Sequence, residues 1–551
     1  RPDPRLGREQ PILMQDKPMC HDPSPNRRQV LLPLAFQMTP VTMTDMSSVD
    51  NPFAASLPAA HCIDSRDDVA VALRPLTGGE TVLVSGHPIT VAADIPKGHK
   101  FALRPIPRGS NVLKYGWPIG RTKAAIAPGD HVHTHNLATR LADVEDSTYR
   151  PASGTRLRPL PPGLPDTFQG YRRANGAVGT RNEIWILPTV GCVARTAERI
   201  ARLGSQRLGG QVDGIHALTH PFGCSQLGDD LSRTRKVLAS LASHPNAGGV
   251  LIVGLGCENN QLDALLAEVP DRSRIRAFAA QMTEDETDAG LQALEDLVAI
   301  ASLDRREPCP LSALTIGLKC GGSDGFSGLT ANPLVGRIAD YVAGAGGTPI
   351  LTEIPEVFGA ERLLMARAAN AEVFQDMAAL LNGFKRYFLD HHQPVHENPS
   401  PGNIAGGITT LEEKSLGAVQ KAGHATVTQV LRYGERALRK GLALLEAPGN
   451  DAVSSTALVA AGATLLLFTT GRGTPLGFPA PTLKIATNTA LAEHKPHWID
   501  FDAGPIAAGA SMDAMAADLL RLMVDVASGK PSKNEQNGER EIALWKNGVT
   551  L

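Results

Sequence analysis

Short apolar runs recur through most of the chain, and each is followed by a segment with helical periodicity. From residue 169 onward the strand-like runs IWILPTV, IHALTH and GVLIVGL alternate with ARTAERIARL, LGDDLSRTRKVLASLASH and NNQLDALLAEV. Val/Ile/Leu runs bounded by Gly, with helices between them, predict buried strands of a parallel α/β sheet. QALEDLVAIAS closes this region as a helix, and the charged, proline-containing DRREPCPLSA (304–313) marks a boundary. A second α/β run begins at ALTIGL. It includes TPILTE, ATVTQVL, TLLLFTT and PTLKIAT, with a final helix MDAMAADLLRLMVDVA, and EIALWKNGVTL reads as an ordered terminal piece.

Upstream the pattern differs. Residues 61–140 show alternating short strands and turns (DVAVALRPL, TVLVSG, NVLKYGWPIG, GDHVHTHNL) without helical periodicity, which predicts a small all-β unit. Residues 141–168 are rich in Pro, Arg and Asp and predict an extended linker. Residues 1–60 begin with Arg1 and lack sustained periodicity. They are expected to be a disordered extension or an overlong start, with Met43 or Met46 as plausible true starts. The predicted plan is α/β: 1–60 extension, 61–140 β domain, 141–168 linker, 169–303 middle α/β domain, and 304–551 C-terminal α/β domain.

Composition narrows the function classes. In 551 residues a formal charge of −2 gives no bias toward nucleic acid or an anionic membrane. The longest apolar stretch, LVAAGATLLLF (458–468), is shorter than the roughly 18 residues of a membrane span and reads as a buried strand. Seven cysteines in a chain of this size do not form a disulfide scaffold. They fit a reducing cytoplasm in which thiols serve metals or catalysis.

Four of those cysteines share one setting. Cys192, Cys224, Cys257 and Cys320 each lie where an apolar run meets a glycine or polar turn. Ligands of parallel sheets bind outside the carboxyl ends of strands, so these four soft ligands predict one metal- or cluster-bearing site. His220, Glu258, Asp324, Glu353 and Glu356 stand beside the same strand ends as harder ligands or acid/base groups. The Gly-rich loops CGGSDGFSG and FTTGRGTPLG follow strands without matching a nucleotide motif. Arg472 in the second can hold a carboxylate through two parallel hydrogen bonds. Lys414 and Lys421, beyond the turn-rich NPSPGNIAGG, are expected to be solvated. In HVHTHN, His131, His133 and His135 have period two, so on a strand they share one face and can bind a metal or form a polar edge; His99 in PKGHK is a fourth candidate.

Taken together, these stretches resemble the altronate/galactarate dehydratase family. The resemblance is carried by IPKGHKFAL, KYGWPIG, GYRRANGAVGTRNE, CSQLGDD, VGLGCENNQ, KCGGSDGFSGLTANP, LTEIPEVFGAE, ENPSPGNIAGGITTLEEKSLG, FTTGRGTP and HWIDFDAG, from about residue 63 to the C-terminus. RRANG, CSQLGDD, HVHTHN and the GVTL ending are closer to the altronate branch than to the galactarate branch. The resemblance implies an SAF-type β-clip in the small domain, a dimer-forming middle domain, a Rossmann-like last sheet without a dinucleotide, and a need for iron. The implied reaction is dehydration of D-altronate to 2-dehydro-3-deoxy-D-gluconate by a cytoplasmic homodimer. Galactarate dehydratase and sulfolactate sulfo-lyase are the enzymatic alternatives, and a sugar-acid-binding or iron-sensing protein is the non-enzymatic one. For this chemistry Arg472 would orient the carboxylate, His220 would take the C2 proton, and Glu258 or Glu353 would act as acid. Iron as Fe²⁺ would be held either as a single ion among Cys, His, Glu and Asp or as an iron–sulfur cluster on cysteines. The small domain, through its histidines, would close over the site as a lid.

Overall fold

A computed structural model describes residues 58–141, 148–150, 157 and 159–551 of the chain. Residues 1–57 of the extension predicted for 1–60 and much of the predicted linker therefore lie outside the described residues, and Ala60, placed in the extension, belongs to the first strand. Residues 60–138 form short antiparallel strands: one sheet combines Ala60–His61, Val69–Ala72, Lys100–Ala102 and His131–Val132, beside two sets of hairpin strands. This is the expected small β unit.

Two parallel sheets follow. In the middle sheet the strands lie in the order Gly214–Ala217, Glu183–Pro188, Ala247–Gly254, Ile275–Ala279. Glu183–Pro188 and Ala247–Gly254 are buried along their whole length, which is why their sequences show no alternation. Helix Ala194–Leu208 buries Ala197, Ile200, Ala201 and Gly204, a stripe spaced for one helical face, against this sheet. The other sheet face, with Trp185, Leu187, Val250 and Ile252, joins the same core as Ile316 and Leu466 of the last unit. Each apolar side chain fully buried there contributes about 1.5–3 kcal/mol.

The last unit holds a seven-stranded parallel sheet in the order Val427–Leu431, Leu442–Leu445, Thr348–Leu351, Thr315–Cys320, Leu465–Thr470, Thr482–Ala486, Phe501–Asp502. The segment expected to be one strand, 458–468, is divided: Leu458 to Ala460 ends the helix Asp451–Ala460, and a turn precedes the strand Leu465–Thr470. Residues 307–310 also depart from the pattern of a simple boundary, because they pair antiparallel with Thr167–Arg172. The tail is ordered. Trp545 stacks on Phe384 with ring centroids 5.3 Å apart, and Thr550 bridges to Gln226.

The small β unit is fastened to the last unit by charge. Lys100 and Lys114 each reach a different oxygen of Glu413 at 2.8 Å, and all three side chains are buried. Burial alone would raise the Glu413 carboxyl, but the two ammonium groups outweigh it and hold it at about 2. Glu412 beside it accepts from the Thr139 hydroxyl and the Arg140 N–H. Removing the carboxylate leaves two buried cations without their counter-charge, a loss of about 3–5 kcal/mol. Glu413→Gln is therefore expected to lower the urea midpoint markedly and to speed amide hydrogen exchange in residues 60–138 more than elsewhere. Unchanged exchange there would show that the anchor is not electrostatic.

Candidate active site

Cys320 is the last residue of the central strand of the large sheet, and a charged cluster encloses it. Its Sγ lies 2.6 Å from Lys421 Nζ, 3.2 Å from Glu356 and 3.6 Å from Glu353. Lys319, the preceding residue, contacts the Glu353 carboxylate and lies 2.8 Å from Asp451. Lys414 sits 2.8 Å from Glu356. Three ammonium groups thus face three carboxylates and one thiol. Lys319, Lys421, Glu353 and Cys320 are buried, so each charge depends on its neighbours.

Local chain geometry produces this convergence. Adjacent parallel strands deliver Cys320 and, just past Leu351, Glu353 to the same sheet edge. Glu353 adopts φ of +66°, a left-handed conformation unusual for a residue with a Cβ, and it starts the short 3₁₀ turn Ile354–Val357 that carries Glu356. Asp451 arrives at the start of the helix Asp451–Ala460, whose N-cap Asn450 accepts from the Val453 N–H.

The environment separates the titrations. Burial, then Glu353 and Glu356, pushes the Cys320 thiol up to about 12, so it is neutral at neutral pH despite its two lysines. Burial and the neighbouring Glu356 push the Glu353 carboxyl above its usual range. Burial would also raise Glu356, but Lys414, Lys421 and Lys319 hold it at about 2. Two carboxyl groups driven apart in this way, beside a cleft, mark a candidate functional site.

A cleft of about 690 Å³ opens over the cluster, lined by Gly322, Glu356, Asn403, Lys414 and Asp451 among others. Arg472 stands nearby, with Nη1 3.1 Å from the Gly402 carbonyl and its Cβ against Gly322. Cys320, Glu353 and Glu356 are also, among the described residues, the one group of three such side chains whose donor atoms lie within 4.8 Å of one another. One soft and two hard donors form a set that could hold a metal ion.

The structure redistributes the other residues singled out from sequence. The four-cysteine site does not form: Cys320 is sealed by Lys421, Glu353 and Glu356, whereas Cys192, Cys224 and Cys257 are exposed on the middle unit. His220 is not placed as a base. Its Nε2 donates to the Pro188 carbonyl at 2.9 Å and its Nδ1 accepts from the Phe222 N–H, so neither nitrogen is free, and burial lowers the ring to about 4. Glu258 is not placed as an acid either. Burial would raise it, but the Thr189 hydroxyl and the N–H groups of Leu255 and Gly256 hold it below the usual carboxylate range. Asp324 accepts from Thr487, Ser327, Asn488 and the Phe326 N–H, a neutral set that leaves its carboxylate committed to the loop rather than to the metal-capable group.

The histidines converge, but not through a strand. Only His131 and Val132 are extended, and a turn capped by Asn136 brings His133 back. The rings of His99, His131 and His133 lie 5.1–5.2 Å apart, and that of His135 5.7 Å from His131. His99 and His133 bond the carbonyls of Ala405 and Ile404, so they brace the loop that walls the cleft. Burial, then the neighbouring His99 and His133, lowers His131 to about 3, and the ring stays neutral.

Sequence reasoning passes over the lysines. Lys421 is buried and Lys414 nearly so, opposite to the solvated positions expected for them. The available signal is Lys319 within LTIGLKC, since a lysine inside a run that reads as a buried strand requires a carboxylate partner.

Comparison with known proteins agrees with this geometry. Residues 311–550 match "D-galactarate/Altronate dehydratase, C-terminal", residues 170–302 match "D-galactarate dehydratase/Altronate hydrolase, second domain", and residues 59–140 match "Altronate/galactarate dehydratase SAF domain". The altronate dehydratases of Bacillus subtilis and Escherichia coli are each 50% identical over 495 residues, covering 89% of this chain and 99% of theirs. The galactarate dehydratase (L-threo-forming) of Escherichia coli is 36% identical over 454 residues, 79% of this chain and 86% of its own. The chain belongs to the altronate/galactarate dehydratase family.

Proposed function

We propose that this protein is a hydro-lyase that removes water from D-altronate to give 2-dehydro-3-deoxy-D-gluconate. The observation that carries the reading is the charged cluster beneath the cleft, where Cys320, Glu353 and Glu356 meet three lysines. The higher identity to altronate dehydratases than to the galactarate enzyme supports the substrate.

The chemistry has two difficulties. The C2 proton, alpha to a carboxylate, is very weakly acidic, and the C3 hydroxyl is a poor leaving group. Arg472, beside the cleft near Gly322 and Gly402, holds the substrate carboxylate by charged hydrogen bonds and orients C2 toward the floor. Asp451, the floor carboxylate with the largest exposure to the cleft, takes the C2 proton. Lys414 gives a proton to the departing C3 oxygen, which leaves as water. The resulting enol regains a proton at C3 and becomes the 2-oxo acid. Glu353 does not line the cleft; it positions Lys319 and Lys421, and those cations stabilise the negative charge that builds on the carboxylate. Fe²⁺ is the metal we assign to Cys320, Glu353 and Glu356, where it would supply Lewis acidity. We place the enzyme in the cytoplasm, in keeping with six described cysteines that are all free, and infer a homodimer formed through the middle α/β unit. No helix among the described residues is long and apolar enough to cross a membrane.

In reduced, iron-loaded full-length protein, altronate turnover is expected, with loss on chelation and recovery on adding ferrous iron. Turnover of galactarate or sulfolactate without altronate would overturn the substrate assignment. Asp451→Asn and Lys414→Met are each expected to lower kcat by about 10²–10⁴ while binding persists; a change of less than threefold in either removes that residue from the proton transfers. Arg472→Gln is expected to act mainly on KM, raising it about tenfold to a hundredfold as about 1.5–3 kcal/mol of charged hydrogen bonding is lost. A fall confined to kcat would place Arg472 elsewhere in the mechanism.

A further inference from the structure

The amino edge of the middle sheet, where its strands begin, holds a cavity that the dehydration chemistry does not use. It has a volume of about 130 Å³ and shares no lining residue with the cleft above Cys320. Arg173, Arg274 and Arg436 all line it. Arg173 follows the strand Thr167–Arg172, and Arg274 immediately precedes the strand Ile275–Ala279. Arg436 comes from the last unit, in the loop between strands Val427–Leu431 and Leu442–Leu445. The cavity therefore lies on the seam between the two α/β units.

Charge around the cavity does not balance. Asp304 serves two of the guanidinium groups at once, those of Arg173 and Arg274. Asp271 stands exposed at the rim, where it accepts from the Ser273 N–H at 2.9 Å. Arg436 is left over. Among the described residues its guanidinium makes one hydrogen bond, to the Ser243 carbonyl, and no ion pair. The neighbouring Glu435 is claimed by Lys236 at 3.1 Å and by the Arg432 N–H at 2.8 Å. Burial pushes the Arg436 guanidinium below its usual range, with no carboxylate opposing the effect. His244 cannot relieve the excess. Its Nε2 donates to the Ala463 carbonyl and its Nδ1 accepts from the Asn246 N–H, and burial, then Arg436, lowers the ring to about 3. An arginine does not shed its proton in water-exposed protein, so a half-buried one without an acid calls for an anion from outside.

The donors select the occupant. A guanidinium fork pairs with a phosphate-type oxyanion through parallel charged hydrogen bonds. We propose that this cavity binds a phosphate group, either free or as the end of a phosphate ester, held chiefly by Arg436 and joining the last unit to the middle one. Arg274, whose side chain is one-third exposed, is the second donor. Arg173 adds positive charge but no free fork, because its N–H groups already reach Pro245, Asn182, Arg181 and Asp304. A groove of about 750 Å³ shares Pro270 and Arg436 with the cavity and gives the organic part of an ester a place to lie. The inference stands on the arginines alone and goes beyond the altronate reading. Phosphate binding without altronate turnover would overturn that reading alone, and turnover without phosphate binding would overturn this one alone.

The test uses the full-length, reduced, iron-loaded protein, dialysed to equilibrium at constant ionic strength against radiolabelled inorganic phosphate and, separately, against labelled glycerol 3-phosphate. Saturable binding of one phosphate group per chain is expected. Arg436→Gln should weaken it about tenfold or more, while Arg472→Gln, altered at the cleft, should bind as the wild type does. Equal affinity for the two probes names the free ion as the occupant, and tighter binding of glycerol 3-phosphate names an ester. No saturable binding of either probe up to about 10 mM, undiminished binding in Arg436→Gln, or a loss confined to Arg472→Gln overturns the proposal. If Arg436→Gln does not fold, arginine modification of the wild type by phenylglyoxal decides. Phosphate should protect Arg436 where chloride at the same ionic strength does not, and equal labelling in both overturns the assignment.

Discussion

A lysine in the central strand of a buried parallel sheet is the constraint around which the last unit is organised. Lys319 has no route to water, so the fold must bring anions to it. Glu353 comes from the neighbouring strand and Asp451 from a helix start, and the excess of buried carboxylate then draws in Lys421 and Lys414. Each member is affordable only while the others remain. That interdependence explains why Glu353 keeps a left-handed backbone, since relaxing it would withdraw its carboxylate from two cations. It also explains why the cluster sits at the strand ends, where charge can be compensated without interrupting the ladder of backbone hydrogen bonds.

The loop and helix from 398 to 418 transmit this order outward. On its inner side Asn403 and Lys414 face the cleft. Toward the small β unit, Glu413 is gripped by Lys100 and Lys114, and the carbonyls of Ile404 and Ala405 are held by His133 and His99. The small β unit is thus a buttress of the cleft wall. A free lid would present a surface able to detach from that wall. This one is joined to it by a buried ion triad, and Gly98 packs so closely on Gly325 and Gly407 that no Cβ fits between them. The neutral histidines contribute the same way, through hydrogen bonds to carbonyls.

Much of the architecture is legible in the sequence because it rests on local signals. Apolar runs with Gly at their ends mark the strands, and stripes such as Ala197, Ile200, Ala201 and Gly204 mark the helices. The strand Leu442–Leu445 is too short to show a period, and helix Asp451–Ala460 merges with the next strand in one apolar stretch. The positions of Cys320 and Glu353 are legible as strand ends, but their partners are not. Lys414 and Lys421 look like solvated helix residues until the tertiary fold closes over them. His220 and Glu258 mislead for a related reason: a polar residue at a strand end serves loop geometry as readily as chemistry, and only its hydrogen-bond partners distinguish the two.

The cysteines show the same limit at the scale of domains. A pattern of strand ends carries no information about which sheet each strand belongs to, so four similar settings read as one site. The chain instead builds two parallel sheets, each with its own point of reversed winding. Cys320 ends the first strand of one, and Cys192, Cys224 and Cys257 follow the first three strands of the other. The thiol chemistry divides along that line. In a sealed pocket with two glutamates, a thiol stays protonated until a cation displaces a lysine. The three thiols of the middle unit face solvent instead and are open to oxidants. Burial therefore separates Cys320 from the other three in kind as well as in place: the one is organised by compensating charge, the others stand exposed on loops joined by backbone hydrogen bonds.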